Sequence, residues 1–235
     1  MRPVIRGPRP VDDENKDIIF TAYPNARREM IGRLGEYCSY CEMQLDASLA
    51  IEHVRPKKPE GAAAVMVDRE LDWENFLLAC TNCNSTKGDD EIVLADYVWP
   101  DRDNTFRAIK YAEGGVVSAA ENIQSDKALK LIKLVGLDRT PDTSSASDRR
   151  WSNRREAWDI ANHARRRLEK VDFVELREQI VETAQAKGYW SMWMVVFEDD
   201  HDMLKRLIAA FPGTAADCFH VESGYVAIAR NGGQC

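Results

Sequence analysis

The sequence lacks any apolar run that approaches eighteen residues, the length that a membrane-spanning helix needs. Its first six residues, Met1-Arg-Pro-Val-Ile-Arg6, also lack the apolar core of a secretory signal peptide. Both absences argue against a membrane or exported protein. The sequence therefore predicts a cytoplasmic protein that makes no membrane contact.

An excess of positive charge is also missing, because the chain has a net charge of −7 and a sequence pI of about 5.3. Proteins that bind nucleic acid tightly and without help are usually basic, since phosphate neutralisation supplies most of their affinity. The overall charge therefore argues against avid, unassisted binding to DNA. A local basic surface, or a partner that supplies one, stays open.

Internal repeats and low-complexity tracts are absent, and only four histidines occur in the 235 residues. The hydrophobic content of 44% and the charged content of 30% are ordinary for a globular protein. A chain of this length can build one large domain or two small ones. The few histidines keep the number of candidate catalytic bases small.

Four of the six cysteines stand in two C-x-x-C pairs, Cys38/Cys41 and Cys80/Cys83. Two such pairs can present four thiolates to one ion and complete a tetrahedral zinc site. In a reducing compartment this spacing favours metal over disulfides. The sequence therefore predicts a structural zinc site, which closes the fold and does no chemistry itself.

Short-range patterns place the stretch between the two pairs on a strand and a helix. Residues 50–54 alternate like a short strand, and residues 80–88 are expected to begin a helix at the second pair. Residues 1–13, rich in proline and arginine, predict an extended arm of the kind that is often mobile. Farther on, residues 148–187 read as a long helical stretch, and residues 189–197 as a buried strand.

A polar linker at residues 138–147 is the best candidate for a domain boundary. We expect a first domain at residues 1–137, with its core at 36–90, and a mainly helical region at 148–235. The helical region would serve as an accessory or docking part.

Several polar residues near the predicted zinc site could carry chemistry. His53 could take a proton from water, although a lone histidine is more often a structural hydrogen-bonding residue. The oxygens of Glu52 and Asn84 are suited to a hard cation such as Mg²⁺, although Asn84 could simply cap a turn. Lys87 is suited to a phosphate contact, and Asn75 to tying two backbone segments together.

The ordered set of these motifs resembles the zinc-knuckle HNH endonucleases, which cleave phosphodiester bonds with one divalent ion. The resemblance implies an α+β fold in which a zinc-knuckle ββα-metal core, similar to a treble clef, lies within a mostly helical protein with a small C-terminal α/β part. It implies that His53 is the general base, that Asn75 holds the loop, and that Asn84 is a ligand of a catalytic Mg²⁺ or Mn²⁺. Glu52 stands where many relatives carry a ligating aspartate. Phosphate contacts are expected from Arg55, Lys57 and Lys87, and structural zinc from Cys38, Cys41, Cys80 and Cys83.

Three longer stretches narrow the resemblance to the retron- and Septu-associated HNH proteins. They are Tyr37-Cys-Ser-Tyr-Cys-Glu42, Ile51-Glu-His-Val-Arg-Pro-Lys57 and Leu78-Ala-Cys-Thr-Asn-Cys-Asn-Ser-Thr-Lys-Gly88, and Phe211-Pro-Gly-Thr-Ala-Ala-Asp-Cys-Phe219 resembles the C-terminal signature of the same group. These proteins act beside an ATPase in antiphage defence. The resemblance therefore implies nucleic acid, most readily DNA, as substrate and an ATPase as partner.

Other interpretations stay open on the sequence. The chain could be a noncatalytic zinc-knuckle module that binds nucleic acid or an adaptor, or a toxin-like ribonuclease. The arginine-rich residues 149–170, with a net charge of +5 from eight basic and three acidic residues, could contact DNA, dock an acidic partner or form a solvated face.

Overall fold

The computed structural model describes residues 1–121, 123–143 and 148–235. The predicted linker at 138–147 lies partly outside the described residues, at positions 144–147. Helices and short antiparallel pairs of strands make the fold α+β. The helices are α1 Arg27–Leu34, α2 Val67–Glu70, α3 Thr81–Lys87, α4 Thr105–Ala108, α5 Ser125–Val135, α6 Arg150–Leu168, α7 Val174–Lys187, α8 Trp190–Val196 and α9 His201–Ala210. The strands are β1 Ala50–His53, β2 Phe76–Ala79, β3 Ile109–Ala112, β4 Val116–Ala119, β5 Phe219–His220 and β6 Val226–Ala227.

The antiparallel pair β1–β2 and the helix that follows it hold the candidate site. Ala50 lies opposite Ala79, and His53 lies opposite Phe76, so the histidine is at the end of the ladder. Every residue of β2 is buried, which anchors the pair in the core. Helix α3 begins immediately after β2, because the Cys80 sulfur caps its first turn, and it ends at Gly88 with φ of 65°.

The first part of the N-terminal arm is packed against the protein, since Met1 to Val4 and Arg6 are buried, whereas residues 11–13 are exposed. This corrects the expectation of a mobile arm for residues 1–6. Val4 and Thr214 form an antiparallel bridge, and the Arg2 guanidinium donates to the carbonyl of Pro212 at 2.7 Å. Gly213 lets the same stretch approach the end of α1, because a Cβ there would lie 2.4 Å from the carbonyl oxygen of Arg33. The Phe211-Pro-Gly-Thr stretch therefore holds the arm in place.

The second half of the chain is helical, with one clear departure from the sequence prediction. Residues 190–196 form helix α8 and not a strand. All but one of its residues are buried, and a helix that is apolar all round has the same composition as a buried strand. The stretch 148–187 is divided into α6 and α7, because Phe173 adopts an extended backbone conformation between them.

The described residues form two apolar cores, one built mostly from the part of the chain before the predicted linker and one from the part after it. Each core also includes residues from the other part. The first is built mostly from residues 1–137 but includes Ala157 and Met192. The second is built mostly from residues beyond 157 but includes Tyr37. Among the described helices, none combines the length and the apolar character that crossing a membrane requires.

Candidate active site

The four paired cysteines converge on one buried point. Cys38 and Cys41 lie in the turn after α1, Cys80 directly follows β2, and Cys83 lies in the first turn of α3. Their sulfurs all lie within 4.8 Å of one another. This cluster joins the segment before β1 to the start of α3.

The sulfur geometry fits zinc. The sulfurs of Cys41 and Cys80 are 3.7 Å apart, and a tetrahedral site with Zn–S bonds of about 2.3 Å separates its sulfurs by about 3.8 Å. None of the four forms a disulfide. These residues could therefore hold a zinc ion, as their spacing in the sequence predicts.

His53 lies at the end of β1 in an aromatic pocket. The rings of Tyr23 and Phe76 meet the imidazole edge-on, with centroids 4.9 and 5.3 Å away. The imidazole Nε2 lies 3.0 Å from the backbone carbonyl oxygen of Glu70. Because a carbonyl only accepts hydrogen bonds, Nε2 carries the proton and donates it. In the neutral ring, Nδ1 is then the nitrogen that can accept a proton.

Burial sets the protonation state of His53. Loss of hydration lowers the pKa of the imidazole below its ordinary 6.5, and the hydrogen bond to Glu70 opposes this shift. The ammonium groups of Lys57 and Lys87 lower the pKa further. His53 is therefore held in the neutral form that a general base requires at neutral pH.

Asn75 ties the loop after β1 to the chain that leads into β2. Its side-chain oxygen accepts from the Arg55 amide at 2.7 Å, and its side-chain nitrogen donates to the carbonyl of Arg55 at 2.9 Å. The same nitrogen donates to the Arg69 carbonyl at 3.1 Å. This buried amide fixes the backbone on both sides of the His53 pocket.

Glu52 and His53 are adjacent on β1, yet they have different partners. A Glu52 carboxylate oxygen accepts from the Tyr40 hydroxyl at 3.0 Å and lies 3.1 Å from the Lys87 ammonium. Burial raises the pKa of the Glu52 carboxyl, and Lys87 opposes that shift. One oxygen of this buried carboxylate is thus paired with an ammonium, which supports a structural role for Glu52.

Lys87 was expected to contact a phosphate, but its side chain lies in the protein interior. Its ammonium is buried between Glu52 and the backbone carbonyl oxygen of His53, to which it donates at 2.9 Å. Helix α3 is thereby fastened to the end of β1. The lysine holds the strand that carries His53 and does not reach solvent.

The remaining predicted residues lie nearer the surface. Asn84 is exposed in α3, and Arg55 and Lys57 are half-buried in the loop after β1. The Lys57 ammonium lies 4.0 Å from the centroid of the Tyr23 ring and 3.6 Å from a carboxylate oxygen of Glu70. Of the three expected phosphate contacts, only Arg55 and Lys57 have side chains that are partly open to solvent.

Three residues outside the predicted set also contribute to the site: Tyr23, Tyr40 and Glu70. Glu70 acts on His53 through its backbone carbonyl, which no side-chain pattern reveals. Tyr23 precedes the predicted motif, in a 3-10 turn at Tyr23–Ala26. Tyr40 lies between the first two cysteines, and no sequence pattern indicates its contact with Glu52, twelve residues away.

Comparison with known proteins locates one family within this part of the chain. No curated protein matches the chain. A family model described as HNH endonuclease matches residues 38–90. The match includes both cysteine pairs, His53, Asn75 and Asn84. Residues 38–90 are thus similar to an HNH endonuclease domain.

Proposed function

We propose that the protein is a metal-dependent endonuclease that hydrolyses phosphodiester bonds of nucleic acid, with His53 as its general base. The observation that carries this proposal is the hydrogen bond from His53 Nε2 to the Glu70 carbonyl at 3.0 Å. It orients the ring and leaves Nδ1 as the proton acceptor. Burial and two nearby lysines also lower the pKa of His53, which favours the neutral imidazole that a base requires.

In the proposed reaction, His53 Nδ1 removes a proton from a water molecule as its oxygen attacks the phosphorus. The new P–O bond forms while the bond to the leaving oxygen breaks. The edge contacts of Tyr23 and Phe76 and the bond to Glu70 hold the imidazole in one orientation throughout. A bound Mg²⁺ or Mn²⁺ would polarise the phosphate and stabilise the leaving oxygen.

We propose Asn84 as a protein ligand of that divalent ion, because its amide oxygen is a hard donor on the exposed side of α3. The Glu52 carboxylate would act indirectly, by holding Lys87 and hence α3. Cys38, Cys41, Cys80 and Cys83 would bind a separate, structural zinc ion. The arrangement would be a ββα-metal core of the treble-clef kind.

DNA is the proposed substrate, on the resemblance to HNH nucleases. Arg55 and Lys57 follow His53 in the chain, on the loop after β1. Their partly exposed side chains would contact the phosphates on either side of the scissile bond. We further propose residues 1–137 as the nuclease part and 148–235 as its support. A role in antiphage defence beside an ATPase partner follows only from the narrower resemblance.

One observation favours a second candidate, a noncatalytic zinc-knuckle module. The Glu52 carboxylate is buried and paired with Lys87 through one oxygen, which disfavours a role as metal ligand. Such a module could bind nucleic acid or a protein partner without cleaving anything. The toxin-like ribonuclease differs only in substrate.

A substrate panel separates these functions. The purified protein is incubated with supercoiled plasmid, linear duplex, single-stranded DNA and RNA, each with Mg²⁺, with Mn²⁺ and with a chelator. Cleavage of DNA that needs the divalent ion supports the proposal. Cleavage of RNA alone indicates the ribonuclease, and binding without cleavage on any substrate would identify the noncatalytic module.

A further inference from the structure

The zinc-binding cysteines have a partner outside the matched domain. Arg150, the first residue of α6, is 2% exposed, and its Nη1 donates to the Cys83 sulfur at 3.1 Å. The two residues are 67 positions apart in the chain. A guanidinium from the C-terminal region therefore contacts one of the four sulfurs directly.

Other contacts hold this guanidinium in one orientation. Asp148 accepts two parallel hydrogen bonds, from Nε at 2.9 Å and from Nη2 at 2.7 Å. Nη1 also donates to the backbone carbonyl of Val135, the last residue of α5, at 2.6 Å. A two-pronged carboxylate contact of this kind fixes the plane of an arginine. The Cys83 bond is thus part of a rigid arrangement that joins α3, α5 and α6.

The positive charge of Arg150 compensates part of the negative charge of a zinc-bound cysteine cluster. Four thiolates and one Zn²⁺ together carry a net charge of −2, and all four cysteines are buried. Buried charge is costly unless hydrogen bonds and opposite charge compensate for it. Arginine stays charged in proteins, so Arg150 supplies a permanent positive charge at this centre.

We propose that Arg150 is a positioning residue of the zinc centre, and that it makes retention of zinc depend on docking of the C-terminal helix α6. Groups that hydrogen-bond to metal ligands orient them and strengthen metal binding, by about 10- to 100-fold in affinity. Cys83 directly precedes Asn84, so the same contact fixes the start of α3. This proposal does not depend on nuclease activity.

Arg154 offers a matched control on the same helix. It lies about one turn farther along α6 and is also 2% exposed. Its guanidinium donates to the backbone carbonyls of Gly115 at 2.6 Å and Leu137 at 3.0 Å, so its bonds go to carbonyl oxygens and not to sulfur. Replacing either arginine by methionine removes a buried guanidinium, but only one replacement removes a sulfur contact.

The test measures zinc release from the full-length holoprotein to a chromogenic chelator, well below the unfolding temperature. Arg150→Met is expected to release zinc about 10- to 100-fold faster than the wild type. Arg154→Met is expected to lower thermal stability while zinc release stays close to the wild-type rate. Equal acceleration in both variants would overturn the proposal, because the effect would then follow from general destabilisation.

Two further variants keep the test decisive if Arg150→Met does not fold. Arg150→Lys retains the charge but loses the planar fork, and Asp148→Asn retains Arg150 but weakens its orientation. In the Co²⁺-substituted protein, each is expected to shift the sulfur-to-metal charge-transfer band to lower energy, because a hydrogen bond to a thiolate stabilises its lone pair. Bands identical to the wild type in both variants would contradict a contact that acts on the bound thiolate.

Discussion

The ammonium of Lys87 lies 3.1 Å from a carboxylate oxygen of Glu52, and each side chain is at most 3% exposed. The same ammonium donates to the carbonyl of His53, the residue after Glu52. A single buried ion pair therefore connects helix α3 to the end of strand β1. The position of the proposed base depends on this connection.

Removing one partner of this pair is expected to be strongly destabilising. Lys87→Met leaves a buried carboxylate without its counter-charge, which costs about 3–5 kcal/mol of unfolding free energy. Urea denaturation of the zinc-loaded protein measures the loss. Lys57→Met is the matched control, because the Lys57–Glu70 pair is partly exposed and contributes about 1 kcal/mol or less.

The double variant Glu52→Gln/Lys87→Met tests whether the pair acts as a unit. With both charges removed, we expect it to recover a substantial part of the stability lost in Lys87→Met. If Lys87→Met is as stable as Lys57→Met, the buried pair does not hold the strand and helix together.

Asn75 is expected to tolerate neither alanine nor aspartate. Alanine leaves the amide and carbonyl of Arg55 and the carbonyl of Arg69 without partners, and at about 1 kcal/mol for each bond the loss is about 3 kcal/mol. Aspartate keeps the acceptor but loses both donated bonds. It also puts a buried negative charge beside two carbonyl oxygens, so chemical denaturation should show Asn75→Asp to be at least as destabilised as Asn75→Ala. An Asn75→Ala protein with wild-type stability would show that the loop does not need this amide.

Zinc removal is expected to unfold the domain around residues 38–90. The purified protein should contain about one zinc ion, and Cys80→Ser should lose both the metal and the cooperative unfolding transition. Cys218→Ser is the control, since Cys218 is equally buried but outside the sulfur cluster. Metal analysis and circular dichroism measure the two effects. A metal-free protein that stays folded would contradict the zinc site.

The pH dependence of cleavage should report the lowered pKa of His53. The base works only when neutral, and burial together with Lys57 and Lys87 favours the neutral form, while Glu70 opposes them. As pH falls, activity should therefore persist below 6.5 before the imidazole gains its proton. Lys57→Met removes one of the positive charges that lower the pKa of His53. The pKa of His53 should therefore rise, and activity should be lost at a higher pH than in the wild type. A wild-type profile that falls off above pH 6.5 would argue against His53 as the base.

Much of the core could be predicted from residue spacing. The two C-x-x-C pairs predicted the cysteine cluster, because thiolates at this spacing have a well-defined use. The strand at 50–54 and the helix beginning at the second pair were also predicted, since alternation and capping are local signals. The prediction of a strand at residues 189–197 was wrong, because composition alone does not distinguish a buried helix such as α8 from a buried strand.

Long-range contacts could not be predicted in the same way. The sequence shows an excess of basic residues at 149–170 and leaves their role open, whereas in the structure Arg150 and Arg154 point into the interior and contact carbonyls and a sulfur. A charge count does not show which side chains are buried. Likewise, the sequence does not show that Lys87 is paired with Glu52 and is therefore buried away from any phosphate. The hydrogen bond from His53 goes to the backbone of Glu70, so no side-chain pattern predicts it.

The most direct test of the account is the single-turnover rate of plasmid cleavage by His53→Ala with Mg²⁺ or Mn²⁺ present. His163→Ala is the control, because His163 is an exposed histidine on α6. Zinc content and circular dichroism establish that both variants are folded. We predict a rate about 10²- to 10⁴-fold below wild type for His53→Ala and an unchanged rate for His163→Ala. Cleavage by folded His53→Ala at the wild-type rate would contradict the central claim that His53 is the general base.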